Sequence, residues 1–292
     1  MIIHGNETLL VQGITGKQGT FWAERMRAYG TKVAGGVNPK RGGETHLDLP
    51  VWASAKDAAK ATRIDAAVMF VPPFGVKEAA LDIIEAGIGK IVCLTEHVPV
   101  QDTMYLLAAA RERGCRVVGP NTAGLVTTGE CFVGFMPAFN PRVFRPGYVG
   151  VVSRSGSLGT LVCLNLVQAG LGISSFVGIG GDPIIGTTTR DALEALDRDP
   201  RTKAVALVGE IGGSMEETAA EYARGMTKPV AAFIAGAASP AGKKMGHAGA
   251  IVLGDKGSFA GKKAALEAAG VTVSPTPNGV ALVLRDRLAA MT

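Results

Sequence analysis

Aromatic residues, paired cysteines and long apolar runs are all scarce in this chain of 292 residues. Its four cysteines are far apart and form no C-x-x-C pair, so neither a zinc site nor a disulfide framework is indicated. No apolar run approaches the roughly 18 residues of a membrane span. Residues 1–7 have neither a basic start nor an apolar core, so no signal peptide is predicted. These absences favour a protein of the reducing cytoplasm that does not enter membranes.

Three further absences narrow the function. The lysines and arginines occur in ones and twos, with no basic stripe interleaved with aromatics, so the net charge of +5 favours small anionic ligands and does not predict nucleic-acid binding. No serine sits in a G-x-S-x-G elbow, which disfavours a hydrolytic triad. The chain also lacks G-x-x-x-x-G-K-[ST], the loop that would bind ATP. An ATP-driven reaction would therefore use an unrecognised site or another chain.

Small and β-branched residues dominate what is present. The chain has 40 glycines and is 47% hydrophobic but only 5% aromatic, which is typical of α/β proteins with tight strand-to-helix turns. Its length predicts two domains. We expect one domain over 1–121 and another over 148–292. The segment 122–147, which loses clear periodicity and contains prolines, is expected to connect them.

The start of the chain reads as strand, glycine-rich turn and helix. An apolar strand over 8–11 enters Gly13-x-x-Gly16-x-x-Gly19, and a helical stretch follows. This spacing is a relative of the dinucleotide fingerprint, and its backbone N–H groups and helix dipole would cradle a phosphate. Taken alone, the pattern could also be an ordinary tight turn.

The residues after the next predicted strand, over 32–37, narrow the choice of nucleotide ligand. An NAD site would place a carboxylate there for the ribose hydroxyls, but this chain has Lys40 and Arg41. Two cations indicate a phosphate on the ribose, as NADP and coenzyme A both have; a solvated basic turn is the other interpretation. A later strand ends at Thr95-Glu96, which topology places beside the Gly13 turn.

The second half repeats this pattern with different side chains. Ser155-Gly156-Ser157 follows a strand and opens a helix, so it is an anion site or an N-cap. Glu210 ends another strand, and His247 stands at the tip of a glycine-flanked loop over 243–250. A carboxylate on one imidazole nitrogen leaves the other to attack. His247 is therefore a candidate phosphate carrier, although a single loop histidine is usually only an exposed side chain.

Three segments together resemble one family. Gly246-His247-Ala248-Gly249-Ala250, Gly209-Glu210-Ile211-Gly212-Gly213 and Gly178-Ile179-Gly180-Gly181-Asp182-Pro183 are similar to motifs of the succinyl-CoA synthetase (succinate–CoA ligase) alpha-subunit family. The resemblance implies a Rossmann-like CoA-binding domain followed by a flavodoxin-like α/β ligase domain. It also implies an acid–thiol ligase of the tricarboxylic acid cycle, an αβ or α2β2 heteromer whose ATP-grasp beta subunit binds ATP or GTP with Mg. No metal site is implied in this chain.

The resemblance also implies roles for single residues. His247 would be phosphorylated, Glu210 would orient it, and Ser155-Gly156 would belong to the phosphate pocket, with Ser157 beside them. The phosphoryl group would pass from nucleotide to histidine and then to the acid, and the CoA thiol would displace phosphate from the acyl phosphate. The CoA contacts would be Thr15, Gly16, Lys17, Gln18, Arg41, Leu94, Thr95 and Glu96.

Departures from the family pattern concern the acid. Thr160 stands where the family usually has a tyrosine near the carboxylate site, and the segment 138–145 is longer than usual and lacks its histidines. A threonine enlarges the pocket and removes an aromatic wall. Succinate is the expected acid, with malate or a larger acid as the alternative. A non-catalytic CoA-binding subunit and an NADP oxidoreductase are the other hypotheses.

Overall fold

The computed structural model describes residues 1–239, 246–252 and 257–291. They divide into two compact units. The first consists of residue 1, residues 3–136 and residues 184–186, and the second contains the other described residues. Both are α/β, which confirms the predicted fold class. No helix in the described ranges has both the length and the hydropathy needed to cross a bilayer.

The first unit is a seven-stranded sheet with helices in its crossovers. The strand order is β3-β4-β2-β1-β5-β6-β7, parallel except where β3 meets β4. The strands are β1 Thr8–Gln12, β2 Lys32–Val37, β3 Thr45–His46, β4 Leu49–Trp52, β5 Ala66–Met69, β6 Lys90–Cys93 and β7 Arg116–Val118. The helices are α1 Lys17–Tyr29, α2 Ala55–Ala61, α3 Val76–Glu85 and α4 Val100–Glu112.

The segment 122–147 contains regular structure. Strands β8 (Gly124–Thr127) and β9 (Cys131–Gly134) form an antiparallel hairpin that clusters with the first unit. All eight of their residues are buried. The connection expected over this whole segment thus begins with a packed hairpin, and the second unit takes over at residue 137.

The second unit contains a parallel sheet in the order β14-β13-β12-β10-β11. Its strands are β10 Pro146–Ser153, β11 Ile173–Gly178, β12 Ala204–Glu210, β13 Val230–Ala235 and β14 Thr272–Ser274. Its helices are α5 Gly156–Gln168, α6 Thr189–Arg198, α7 Met215–Ala223, α8 Phe259–Ala268 and α9 Pro277–Ala289.

Burial explains why these strands form. All seven residues of β12 are buried, as expected for a central parallel strand covered by helices on both faces. Parallel register brings the carboxyl ends of neighbouring strands to one edge of the sheet. Ser153 of β10 pairs with Val208, and Glu210 pairs with Ala235 of β13. The residues that follow these strands therefore gather at the same edge.

Candidate functional site

His247 and Glu210 are hydrogen-bonded in the second unit. Nδ1 of His247 lies 2.7 Å from Oε2 of Glu210, the last residue of β12. An ionised carboxylate can only accept hydrogen bonds, so Nδ1 carries the proton and donates it. In the neutral ring Nε2 then has the lone pair, and about a quarter of the side chain is exposed to solvent. The pair predicted from sequence is thus formed, with Nε2 as the nitrogen able to attack.

The surroundings of the ring act on its protonation in opposite directions. The hydrogen bond to Glu210 raises the pKa of His247 above its ordinary value, and the charges of Glu210 and Asp182 act in the same direction. Partial burial and the positive charge of Arg154 lower the pKa. The net effect is a raised pKa, so the protonated imidazole is favoured by this environment.

Glycines let the histidine loop approach its neighbours. A Cβ on Gly181 would lie 2.5 Å from Cγ of His247, and a Cβ on Gly249 would lie 2.7 Å from Nη2 of Arg154. The Gly249 N–H donates to the Gly181 carbonyl at 3.2 Å, which ties the two turns together. The three lysine and methionine positions of the predicted loop, 243–245, lie outside the described residues.

A pocket of about 360 Å³ opens beside this pair. Its lining includes His247, Glu210, Ser155, Ser157 and Leu158. The Ser155 hydroxyl accepts a hydrogen bond from the Leu158 N–H at 3.3 Å and so caps α5, which begins at Gly156. A helix N-terminus presents N–H groups and a partial positive charge, which suits an anion. The predicted serine turn and histidine therefore share one pocket.

A buried set of charges behind Glu210 was not predicted from the sequence. Nη2 of Arg154 lies 3.1 Å from Oε1 of Glu210, and Nη1 lies 3.9 Å from Oε1 of Glu216. The ammonium of Lys262 pairs with Glu216 and lies 3.0 Å from Glu217. Only Arg154 carried a usable signal, because it directly follows β10 at the edge where parallel sheets bind ligands.

Thr160 is engaged within its own helix. Its hydroxyl donates to the Gly156 carbonyl at 2.8 Å, one turn earlier in α5. It is not among the lining residues of the pocket beside His247. A role for Thr160 in binding the acid stays a prediction.

The first unit places Thr15, Gly16, Lys17 and Gln18 at the turn from β1 into α1. Gly16 is the N-cap of α1 and provides no side-chain cap, so the N–H groups of the first turn are open to a ligand. A Cβ on Gly19 would lie 2.2 Å from the Gly13 carbonyl, so the turn is too tight for a side chain there. Nδ2 of Asn38 donates to the Thr15 hydroxyl at 2.6 Å and joins this turn to the end of β2.

The other expected CoA contacts lie after β2 and β6. Nη2 of Arg41 lies 2.6 Å from Oε2 of Glu44, in a pair whose members are more than two-fifths exposed. Leu94 is buried, and the Thr95 hydroxyl donates to the Val71 carbonyl at 2.8 Å. Glu96 is exposed. Their roles in binding stay predictions.

Two family models cover most of the chain. Residues 5–97 match the CoA binding domain, and residues 152–272 match the CoA-ligase domain. Fold and site thus define a protein with a CoA-binding domain followed by a CoA-ligase domain. The chain is 46% identical to the alpha 2 subunit of an ADP-forming succinate–CoA ligase from Archaeoglobus fulgidus, over 99% of each chain. It therefore belongs to the succinate–CoA ligase alpha-subunit family, and it is the alpha subunit of an NDP-forming acid–CoA ligase.

Other relatives differ in the acid that they name. The chain is 41% identical to a subunit of an ADP-forming sulfoacetate–CoA ligase from Bilophila wadsworthia, over 99% of each chain. It is also 41% identical to the alpha subunit of a malate–CoA ligase from Methylorubrum extorquens, over 99% of this chain and 98% of that one. Relatives of similar identity and coverage thus name three different acids.

A solved structure shares the fold. The ATP citrate lyase of Methanothrix soehngenii in complex with citrate and coenzyme A superposes with a TM-score of 0.91 at 26% identity. The match covers all of this chain and 51% of the lyase chain, so this chain spans about half the length of that protein.

Proposed function

We propose that this chain, together with an ATP-grasp beta subunit, converts a small carboxylic acid into its CoA thioester through a phosphorylated His247. Succinate is the acid that we expect. The observation that carries the proposal is the 2.7 Å hydrogen bond from Nδ1 of His247 to Glu210, beside a pocket that contains the N-terminus of α5.

Phosphorylation of the ring follows from this geometry. The Nε2 lone pair attacks the terminal phosphorus of the nucleotide, the N–P bond forms, and the bond to the leaving nucleoside diphosphate breaks. The ring becomes cationic because Nδ1 keeps its proton, and the Glu210 carboxylate offsets that charge. Ser155, Ser157 and the N–H groups at the start of α5 are placed to hold the phosphoryl oxygens.

The next two steps return the histidine to its starting state. A carboxylate oxygen of the acid attacks phosphorus, so the N–P bond breaks and an acyl phosphate forms. The thiolate of CoA then attacks the acyl carbon, and inorganic phosphate leaves. The histidine gains and loses one phosphoryl group per turnover, and the free energy of the nucleotide is kept in the thioester.

Coenzyme A fits the features at the carboxyl edge of the first sheet. The uncapped start of α1 offers N–H groups to a phosphate, and Arg41 offers a cation at the end of β2, where a phosphate on the ribose would lie. Leu94, Thr95 and Glu96 complete the proposed site after β6. The match of residues 5–97 to the CoA binding domain supports this assignment.

The nucleotide belongs to the partner in this proposal. The chain lacks the Walker-type loop, and the relatives are named as alpha subunits, which supports an αβ or α2β2 heteromer. All four cysteines are buried thiols outside any disulfide, which suits the reducing cytoplasm as the compartment of this enzyme.

A larger or more polar acid is the second candidate substrate. Thr160 replaces an expected aromatic wall with a small side chain, and one relative at 41% identity is a malate–CoA ligase subunit. A panel of succinate, malate and sulfoacetate, each added with CoA to the labelled complex, decides among them. The preferred acid will remove label from the protein fastest.

Labelling of the complex with its beta subunit tests the proposal. Incubation with ATP labelled at the γ-phosphate is expected to give acid-labile, base-stable label on the alpha chain. His247→Ala should remove the label, whereas His97→Ala, which changes a largely exposed histidine of the first unit, should retain it. CoA binding without label in the intact complex would instead support a non-catalytic CoA-binding subunit.

A further inference from the structure

Four charged side chains lie buried together behind His247. Arg154, Glu216, Lys262 and Glu210 expose between 0% and 8% of their side chains. Their formal charges cancel, and Glu217 at the margin is partly exposed. Burial of so much charge is costly unless each group is paired, so the arrangement of the pairs decides how much charge each member experiences.

Arg154 is shared between two carboxylates. Its Nη2 lies 3.1 Å from Oε1 of Glu210, and its Nη1 lies 3.9 Å from Oε1 of Glu216 and donates to the Gly212 carbonyl at 3.3 Å. Oε1 of Glu210 and Nε of Arg154 are both buried, and neither makes a hydrogen bond among the described residues. The Arg154–Glu210 contact is therefore electrostatic and acts where little water screens it.

Glu216 competes directly for the same guanidinium. Oε1 of Glu216 accepts a hydrogen bond from the backbone N–H of Glu210 at 3.2 Å. The Glu216 carboxylate is therefore held next to the backbone of Glu210. The Lys262 ammonium pairs with the other oxygen of Glu216 and compensates part of its charge. How much of the positive charge of Arg154 acts on Glu210 thus depends on how fully Lys262 neutralises Glu216.

We propose that Arg154 is a positioning residue whose positive charge neutralises part of the negative charge of Glu210. It thereby limits how strongly Glu210 favours the protonated form of His247. Glu216 sets how much of the Arg154 charge reaches Glu210. This inference rests on the proposed phosphorylation of His247, because only that reaction requires an unprotonated Nε2.

The chemistry gives this balance a purpose. A protonated imidazole has no lone pair at Nε2 and cannot attack phosphorus. A carboxylate that favoured the protonated ring too strongly would therefore stop phosphorylation. Among the described residues, the charged groups that act on the ring are Glu210 from β12, Asp182 from the turn after β11 and Arg154 after β10. The two carboxylates raise the pKa of His247, and Arg154 opposes them.

The test is the pH profile of His247 phosphorylation in the complex with the beta subunit. The rate is expected to fall on the acid side as the ring becomes protonated. Arg154→Gln should move this midpoint to higher pH by about one unit and keep the high-pH plateau. Arg154→Lys should return the midpoint toward wild type. Arg198→Gln, which changes a surface arginine of α6, is the control and should leave the profile unchanged.

Glu216→Gln should shift the midpoint of the pH profile in the opposite direction. Its amide still accepts the Glu210 N–H, but its negative charge is gone, so Arg154 acts on Glu210 alone and the midpoint should move to lower pH. If either single variant does not fold, the double variant Glu216→Gln with Lys262→Met decides the matter, because it also leaves Arg154 to Glu210 alone but leaves no member of the buried pair uncompensated. A midpoint unchanged in Glu216→Gln, or an Arg154→Gln plateau that falls while its midpoint stays, would assign Arg154 a purely structural role and overturn the inference.

A second measurement separates this inference from the proposed function. The chain has only four histidines, so ring signals of carbon-13-labelled histidine in the complex can be assigned through the signal lost in His247→Ala. Titration of that signal reports ring protonation without any phosphorylation. Shifted titrations with no label from ATP would refute the phosphohistidine but support the charge balance, whereas label with unshifted titrations would do the reverse.

Discussion

Gly181 packs directly against the imidazole of His247. An added Cβ would lie 2.5 Å from Cγ and 2.7 Å from Nδ1 of the ring, closer than real Cβ atoms come to other heavy atoms. The ring is thus held between Gly181 and the carboxylate of Glu210. This contact gives a physical reason for glycine in the turn after β11, which the sequence motif alone did not supply.

Gly181→Ala is expected to move the ring away from Glu210. A displacement of about 1 Å at a reacting group reduces rates by roughly 100-fold, so phosphorylation of His247 should slow by about that factor while the protein stays folded. The measurement is the initial rate of labelling by ATP. Gly89→Ala is the matched control, because no atom lies within 4 Å of its added Cβ. Equal rates for both variants would contradict the packing argument.

Glu210→Gln should lose the control of the imidazole tautomer. An amide can donate as well as accept, so Nδ1 no longer has to carry the proton and Nε2 is often the protonated nitrogen. We expect phosphorylation to slow by about 100-fold or more. The pKa of His247 should fall as well, because the bond to Glu210 is the largest cause of its rise. The measurement is the initial rate at which ATP labels the alpha chain, and Glu221→Gln at an exposed position is the control. A rate near wild type would refute the orienting role.

Lys262→Met should destabilise the second unit. Lys262 is fully buried, and its removal leaves the buried Glu216 without its closest cation. Loss of one partner of a buried pair typically lowers the free energy of unfolding by about 3–5 kcal/mol. The neighbouring Lys263→Met removes only an exposed pair with Glu267 and should cost less than about 0.5 kcal/mol.

Chemical denaturation of the two lysine variants measures the difference. The double variant with Lys262→Met and Glu216→Gln should recover part of the loss, because it no longer leaves a buried carboxylate uncompensated. Equal stability of the two single variants would show that the buried ammonium is dispensable.

Arg41→Ala should weaken binding of CoA about tenfold and leave binding of dephospho-CoA nearly unchanged. The reason is that the proposed partner of Arg41 is the phosphate on the ribose, which dephospho-CoA lacks. Isothermal titration calorimetry with both ligands is the measurement. Arg63→Ala, which changes an exposed arginine paired with Asp65, is the control. Equal weakening of both ligands would place Arg41 elsewhere than at that phosphate.

Local sequence was enough to predict the α/β class and the edge positions of the candidate residues. Buried parallel strands are short apolar runs, and the turns that follow them can be recognised by their glycines and serines, as at Gly13 and Ser155. Glu210 and His247 could be paired in advance because Glu210 ends one strand of the sheet and His247 lies in the segment that follows the next strand, at the same edge. Their hydrogen bond confirms that juxtaposition.

The hairpin of β8 and β9 was not foreseen for a physical reason. Its two strands pair antiparallel with each other and are not followed by a glycine turn and a helix, which is the pattern that revealed the other strands. Between prolines and glycines, their apolar content gave no periodicity long enough to interpret.

The sequence by itself determined which residues reach the edges of the two sheets, because alternation of apolar strands with helices and glycine turns is a local property of the chain. Only the tertiary structure decided that Arg154, Glu216 and Lys262 neutralise one another behind Glu210. Those residues come from the end of β10, from α7 and from α8, and nothing in their local sequence specifies the partner of a charge. Burial forces each charge to find a partner, and the packing of helices against the sheet selects it.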